Sequence, residues 1–155
     1  MEHYKKVVPP EQMMEPLLAL LNETDCVPLV ISGSSMSPFL AHSRDTVYLS
    51  RADRPLKRGD MILYQRDGGG YVLHRILSVE KDSFTLLGDA QTLPEPGIRP
   101  EQVRAYVKAV CRKGKLLQKG SFWWEFFEKV WIRMVPVRPV IIKIYAGIRR
   151  TTGLR

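Results

Sequence analysis

Six short segments of β-forming residues fill the middle of the chain, and turn-forming residues separate them. The segments are residues 27–32, 46–50, 61–65, 71–79, 83–87 and 103–112. Between them stand turn sequences such as Asp-Gly-Gly-Gly at 67–70 and Pro-Glu-Pro-Gly at 94–97. Short strands joined by tight turns tend to pair with their neighbours along the chain. This pattern predicts a compact, mainly antiparallel β-domain.

Apolar residues recur three and four positions apart on both sides of this β-domain, which is the spacing of amphipathic helices. We therefore predict a short N-terminal helix within residues 1–24, the β-domain at 25–118, and a tail at 119–155 with two amphipathic helices joined at Pro136. A chain of 155 residues is long enough for a single hydrophobic core. The predicted fold class is α+β, mainly β.

The excess of basic residues lies in the tail. Residues 112–155 contain eleven Lys or Arg but only two acidic residues, Glu125 and Glu128, whereas the first 111 residues are almost neutral. A basic tail suits phospholipid headgroups, an acidic partner or nucleic acid. We rank nucleic acid last, because the aromatic residues of the tail share helix faces with aliphatic ones, which suits a core or lipid better than stacked bases.

Two interpretations of the aromatic tail stay open. Its rings could pack on the β-domain, as stripes at helical spacing usually do. Tryptophan rings and basic side chains are also both favoured at a membrane interface. Charged residues interrupt every apolar run before it reaches about 18 residues, so any attachment should be peripheral and not a span. Because we recognise no export or anchor segment at the N-terminus, we expect a cytoplasmic protein that is peripheral at the membrane.

The segment with the most chemical promise is Ile-Ser-Gly-Ser-Ser-Met-Ser-Pro-Phe-Leu at residues 31–40. It follows a β-forming run and is rich in small and hydroxyl residues. Such a turn can hold a serine beside backbone N–H groups, which acyl transfer needs to stabilise a developing oxyanion. Serine-rich loops are common, so this segment needs support from elsewhere in the chain.

That support comes from three motifs that follow in order: Arg-Gly-Asp at 58–60, His-Arg-Ile at 74–76 and Gly-Asp-Ala at 88–90. Together with Ser-Met-Ser-Pro at 35–38, they resemble the signal-peptidase family, which is related to the self-cleaving SOS repressors. The resemblance spans roughly residues 27–110. A histidine directly before the arginine is similar to the Ser-His subtype of endoplasmic-reticulum, archaeal and sporulation-type signal peptidases.

The resemblance implies that Ser35 is the nucleophile, that His74 is its base, and that Asp89 supports the histidine. This agrees with elementary chemistry, since a serine hydroxyl needs an adjacent base and the unperturbed pKa of imidazole is about 6.5. We expect oxyanion and substrate contacts from Gly33, Ser34 and Met36. His42, which follows Ser35 by seven residues, is an alternative base.

We therefore expect a serine endopeptidase that binds an extended peptide or a leader-like protein substrate along a strand edge. We expect no cofactor or metal, since Cys26 and Cys111 stand far apart and lack metal-ligand spacing. The main alternative is a catalytically inactive peptide-binding or scaffolding module with the same fold. A further variant is self-cleavage at the Ala146-Gly147 bond.

Overall fold

A computed structural model describes residues 10–152 of the chain. Within them lie the helices α1 (Pro10–Ala19), α2 (Phe122–Glu125) and α3 (Arg138–Thr152). The strands are β1 (Val27–Val30), β2 (Thr46–Ser50), β3 (Met61–Gln65), β4 (Tyr71–Val79), β5 (Phe84–Leu87), β6 (Glu95–Ile98), β7 (Val103–Arg112) and β8 (Lys115–Gln118). The predicted α+β, mainly β fold is confirmed. The part of the predicted N-terminal helical region that precedes residue 10 lies outside the described residues.

The described strands form one antiparallel sheet. Their order is β1-β2-β7-β3-β4-β5-β6, and β8 pairs with β7. Strand β7 pairs with three other strands. Its first half pairs with β3, its second half pairs with β8, and β2 pairs with residues 106–111 of β7. At one end of this order, β1 pairs with β2, and its other edge has no strand partner among residues 10–152.

Two of the described strands, β6 and β8, were not predicted. Strands β2, β3, β4 and β7 have the predicted bounds, and β1 and β5 lie within the predicted segments. Strand β6 was missed because Pro96 and Gly97 are poor strand formers. Strand β8 was missed because it has only four residues, three of them exposed, and so carries little apolar pattern.

Strand β3 is buried on both faces and separates two clusters of apolar side chains. Met61 and Leu63 belong to the larger cluster, whereas Ile62 and Tyr64 belong to the smaller one, because successive strand side chains point to opposite faces. The neighbouring strand β4 is in a register that pairs Ile62 with His74 and Met61 with Arg75. The sheet therefore directs His74 and Arg75 to opposite faces.

The first half of the tail packs on the β-domain. Trp124, Phe127 and Trp131 are buried in the larger cluster together with residues of α1, β1, β2 and β7. After α2 the chain continues through a π-helical turn at Phe126–Val130 and 3₁₀ turns at Trp131–Arg133 and Val135–Val137 before α3 begins. The predicted pair of helices is present, and of the two interpretations of the aromatic tail, packing on the β-domain holds for these three rings.

The contact between Gly59 and Glu128 ties the tail to the turn before β3, and it gives a first prediction. Gly59 has φ +94°, and a Cβ there would lie 2.6 Å from Cγ of Glu128 and 3.0 Å from its backbone oxygen. We expect Gly59→Ala to lower the free energy of unfolding by about 2 kcal/mol or more, from left-handed strain and overpacking together. Urea unfolding measures this change.

Gly69→Ala is the matched control. Gly69 has nearly the same φ, +93°, but a Cβ there has no neighbour within 4 Å. The control should therefore lower the free energy of unfolding by only about 1 kcal/mol, from the left-handed strain alone. Equal losses in the two variants would contradict a role for the Glu128 contact.

Candidate active site

The serine-rich segment folds as a turn that follows β1 and is anchored in the core. Met36, Phe39 and Leu40 are buried, with Phe39 and Leu40 fully so, whereas Ser35 is half-buried. Backbone N–H groups of Ser37 and Leu40 donate to the carbonyls of Ser34 and Met36. The apolar side chains after Ser35 thus hold the turn, and the serine stays at the surface of the site.

Ser35 and His74 line the same cavity, which has a volume of about 300 Å³. One wall comes from the serine turn and the residues just before it, and the other from the first half of β4. The lining residues are Ile31, Ser32, Gly33, Ser35, Met36, Arg66, Tyr71, Val72, Leu73, His74 and Gln91. The structure therefore brings together two of the three predicted catalytic residues, which the sequence separates by 39 positions.

His74 is buried, with only 3% of its surface exposed. Burial, which disfavours the charged ring, lowers the pKa of His74 to about 4, although the carboxylates of Glu95 and Asp89 act in the opposite direction. The imidazole is thus neutral at pH 7 and has a lone pair with which to accept a proton. Its Nδ1 atom lies 3.3 Å from the hydroxyl oxygen of Tyr64.

Asp89 is placed differently from the expectation. Its two carboxylate oxygens accept hydrogen bonds from Nε and Nη2 of Arg75 at 3.0 and 2.9 Å, and both side chains are almost completely buried. Within residues 10–152 the carboxylate makes no hydrogen bond to His74, because the guanidinium occupies both of its oxygens and His74 points to the other face of β4. Asp89 therefore acts on His74 only through its charge, which raises the pKa of the ring.

The Gly-Asp-Ala motif positions the serine turn. The N–H of Ala90 donates to the carbonyl of Ser35 at 2.8 Å, and a Cβ on Gly88 would lie 2.6 Å from that same carbonyl oxygen. Glycine is needed at position 88 because the two backbones approach so closely. The motif thus has a structural reason to accompany the serine, apart from any catalytic role of its carboxylate.

Two residues of the tail hold the Gly-Asp-Ala loop in turn, and sequence reasoning missed both. Trp131 donates its indole N–H to the carbonyl of Asp89 at 2.8 Å. Arg138, which is 1% exposed, donates to the carbonyls of Gly88 and Gln91, each at 3.0 Å. Only the interruption of a long apolar pattern by an arginine could have signalled this role, and that feature equally suits an exposed side chain.

The predicted oxyanion and substrate residues, Gly33, Ser34 and Met36, differ in their position relative to the cavity. Gly33 lines the cavity with φ +84°, but its N–H donates to Nδ1 of the exposed His42 at 3.0 Å. Ser34 is exposed and outside the cavity lining, whereas Met36 lines it. His42 also lies outside the lining. Among the described residues, the N–H groups of Ser35 and Met36 have no hydrogen-bond acceptor, so they are the better candidates for binding an oxyanion.

A second polar group behind His74 was also missed. The Tyr64 hydroxyl donates to Oε2 of Glu95 at 2.5 Å, and Arg66 donates to both oxygens of the same carboxylate. Tyr64 stands in an apolar strand and Glu95 in a Pro-Gly turn sequence, so neither carried a signal of function. The described residues contain no group of three or more His, Cys, Asp or Glu that could hold a metal ion.

Comparisons of the chain with protein-family models, curated proteins and solved structures found no match. The geometry and chemistry of the cavity are therefore the basis for assigning a function.

The buried ion pair between Arg75 and Asp89 generates the second prediction. Removing one partner leaves the other charge buried without compensation, which typically costs about 3–5 kcal/mol. We expect Arg75→Met and Asp89→Asn each to lower the free energy of unfolding by this amount in urea titrations. Asp67→Asn, which breaks the surface pair with Arg99, is the control and should leave the unfolding midpoint unchanged. A stable Asp89→Asn variant would contradict a structural role for the pair.

Proposed function

We propose that the protein is a serine endopeptidase in which Ser35 is the nucleophile and His74 the general base. The observation that carries this proposal is that the two side chains line one cavity while His74 is buried and uncharged. A neutral imidazole beside a serine hydroxyl is the arrangement that activates a serine at neutral pH. The order of motifs along the chain, with its resemblance to signal peptidases, supports the same chemistry.

The reaction follows from these two side chains. Oγ of Ser35 attacks the carbonyl carbon of the scissile peptide bond while Nε2 of His74 takes the hydroxyl proton. The N–H groups of Ser35 and Met36 stabilise the oxyanion of the tetrahedral intermediate. As the C–N bond breaks, the proton passes from Nε2 to the leaving amine, and an acyl group remains on Ser35. Water, deprotonated by His74, then hydrolyses this ester and restores the hydroxyl.

An extended peptide suits the cavity because two strand edges border it. Residues 71–74 of β4 pair with β3 on one side, whereas pairing with β5 begins only at Arg75. On the opposite wall lie residues 31–33, which follow the end of β1 at Val30, and the second edge of β1 has no strand partner in the described chain. A substrate strand between these edges gains backbone hydrogen bonds and passes Ser35 in extended form. The resemblance to signal peptidases further implies that the peptide bond is cleaved after a small residue.

The same edges support the alternative of an inactive peptide-binding module, which would bind the substrate strand without turnover. Self-cleavage at Ala146-Gly147 is disfavoured, since that bond lies inside α3 and a substrate must be extended. The two remaining functions differ in whether Ser35 is reactive.

The location we propose is cytoplasmic and peripheral at an anionic membrane surface. Val140 and Ile144 lie on α3 and Val137 lies in the turn just before it; together they form an apolar stripe and are 45–61% exposed. Lys143 and Arg150 flank this stripe, and the sequence has no acidic residue after Glu128. Two copies packed through this stripe would bring like charges together without a carboxylate partner, whereas anionic headgroups would compensate them. No described helix is long and apolar enough to cross a bilayer.

The peptidase proposal predicts that Ser35→Ala and His74→Asn each abolish cleavage of a peptide library followed by mass spectrometry. Losses on the order of 10³-fold or more are expected, because nucleophile and base act as one unit. A serine-reactive acylating probe should label Ser35. Ser37→Ala is the matched control, since Ser37 lies in the same turn but outside the cavity lining. Cleavage by Ser35→Ala at the wild-type rate would contradict the proposal. Peptide binding by the wild type without turnover, and without labelling of Ser35, would favour the inactive peptide-binding module.

The pH profile is a further readout of this prediction. Because burial lowers the pKa of His74 to about 4, the base is unprotonated from pH 5 upward. We expect kcat/KM to be level near neutral pH and to fall as the pH drops through about 4. A limb near pH 6.5, the range of an unperturbed imidazole, would contradict the assignment of the buried His74 as the base.

Membrane attachment predicts binding to phosphatidylglycerol vesicles but not to phosphatidylcholine vesicles in flotation assays, and weaker binding at high salt. Ile144→Glu should lower vesicle binding at least tenfold, since it places a negative charge in the apolar stripe. Leu116→Glu is the control, because Leu116 is 62% exposed on β8 and is not part of the apolar stripe. Equal binding to both lipids, or a dimer that Ile144→Glu dissociates, would contradict attachment.

A further inference from the structure

Next to His74 lies a fully buried tyrosine that is outside the cavity lining. Tyr64 stands on β3, two residues after Ile62, the cross-strand partner of His74, and both rings therefore point to the same face of the sheet. Its hydroxyl oxygen is 3.3 Å from Nδ1 of His74 and 2.5 Å from Oε2 of Glu95. The hydroxyl thus stands between the imidazole and a carboxylate.

The donors and acceptors in this group allow one arrangement only. Arg66 holds the Glu95 carboxylate with two hydrogen bonds of 2.9 and 2.8 Å, and this guanidinium keeps the pKa of Glu95 below its usual range. A charged carboxylate cannot donate, so the short Tyr64–Glu95 hydrogen bond uses the single proton of the hydroxyl. The tyrosine oxygen can then only accept from His74. Nδ1 must therefore carry the ring proton, and Nε2 is left with the lone pair.

We propose that Tyr64 and Glu95 are the positioning residues of His74, forming a relay Ser35–His74–Tyr64–Glu95 in which Asp89 has no part. This inference rests on the proposed peptidase function for its catalytic meaning, although the hydrogen-bonded relay itself does not. In a serine triad, a third group fixes the tautomer and orientation of the histidine. Here a tyrosine hydroxyl takes that place, and a carboxylate stands behind it.

The relay serves each proton step. Before the attack, the Tyr64 oxygen holds Nδ1–H and keeps Nε2 available for the Ser35 proton. When the ring becomes imidazolium, the negative charge of Glu95 stabilises it through the polarised hydroxyl. Burial raises the pKa of Tyr64 above its usual range, so the hydroxyl keeps its proton and no transfer to Glu95 is required. The relay orients and stabilises the base without itself changing protonation state.

The charged groups that face His74 agree with this assignment. Glu95 on β6 favours the imidazolium more than any other group, and Asp89 in the β5–β6 connection contributes less. Arg66, in the turn after β3, opposes both. Asp89 is already committed to Arg75 on the opposite face, which leaves Glu95 as the carboxylate that reaches His74 through a hydrogen bond.

The first test is the tautomer of His74, measured on the full chain by ¹⁵N NMR of the histidine rings at pH 7. The His74→Asn variant assigns the resonance among the three histidines. The relay predicts a predominant Nδ1–H tautomer in the wild type, and a loss of this preference in Tyr64→Phe. A predominant Nε2–H tautomer in the wild type would overturn the relay. This outcome is independent of activity, so it is distinct from a failure of the proposed peptidase function.

The second test is kinetic. We expect Tyr64→Phe and Glu95→Gln each to lower kcat on the order of 100-fold with little change in KM, since they misplace the base but leave the strand edges intact. Tyr106→Phe is the control, because Tyr106 packs against the same apolar cluster without contacting His74. Glu95→Asp should recover part of the loss.

An NMR titration of His74 distinguishes a specific effect on the ring from misfolding of the variant. Glu95→Gln should lower the pKa of His74, whereas a loss of packing alone would expose the ring and raise it toward 6.5. A folded Tyr64→Phe variant with wild-type kcat would overturn the catalytic role of the relay. If the wild type itself proves inactive, the tautomer and the titration still decide whether the relay exists.

Discussion

The structure depends most on one buried ion pair, between Arg75 in β4 and Asp89 in the loop after β5. Moving two charges into the core is costly unless each finds a close partner and further hydrogen bonds. Each charge has the other as a close partner, and Arg75 also donates to the carbonyl of Gly59 at 2.9 Å. The backbone carbonyl of Asp89 accepts the indole N–H of Trp131. Four distant segments of the chain are thereby joined at one point.

This joint determines where Ser35 lies. The loop that carries Asp89 also carries Ala90, whose N–H holds the carbonyl of Ser35, and Arg138 fixes the same loop from the tail side. The loop that carries Asp89 and Ala90 therefore positions the serine turn, in addition to the hydrogen bonds within the turn itself. The tail belongs to the same structural unit as the candidate site, because its buried residues complete the network, while its exposed apolar stripe remains on the outside.

The alternation of side chains along β4 separates structure from chemistry. His74 and Arg75 are neighbours in sequence but face opposite sides of the sheet, where His74 contacts Tyr64 and lines the cavity with Ser35, and Arg75 pairs with Asp89. A motif such as His-Arg-Ile therefore combines a catalytic candidate with a structural anchor. The Gly-Asp-Ala motif also has two parts. Its glycine and backbone support the turn of Ser35, and its carboxylate neutralises Arg75.

The sequence by itself determined the strands with strong apolar patterns, the helical period of the tail, and Ser35 and His74 as candidates, because these features are local in the chain. It did not disclose β6, whose proline and glycine oppose strand formation, or the partners of Asp89 and His74. Those partners were decided only by the tertiary structure. Sheet register and the packing of the tail bring together residues as distant as Gly88 and Arg138, and no local pattern encodes which buried polar groups will satisfy one another.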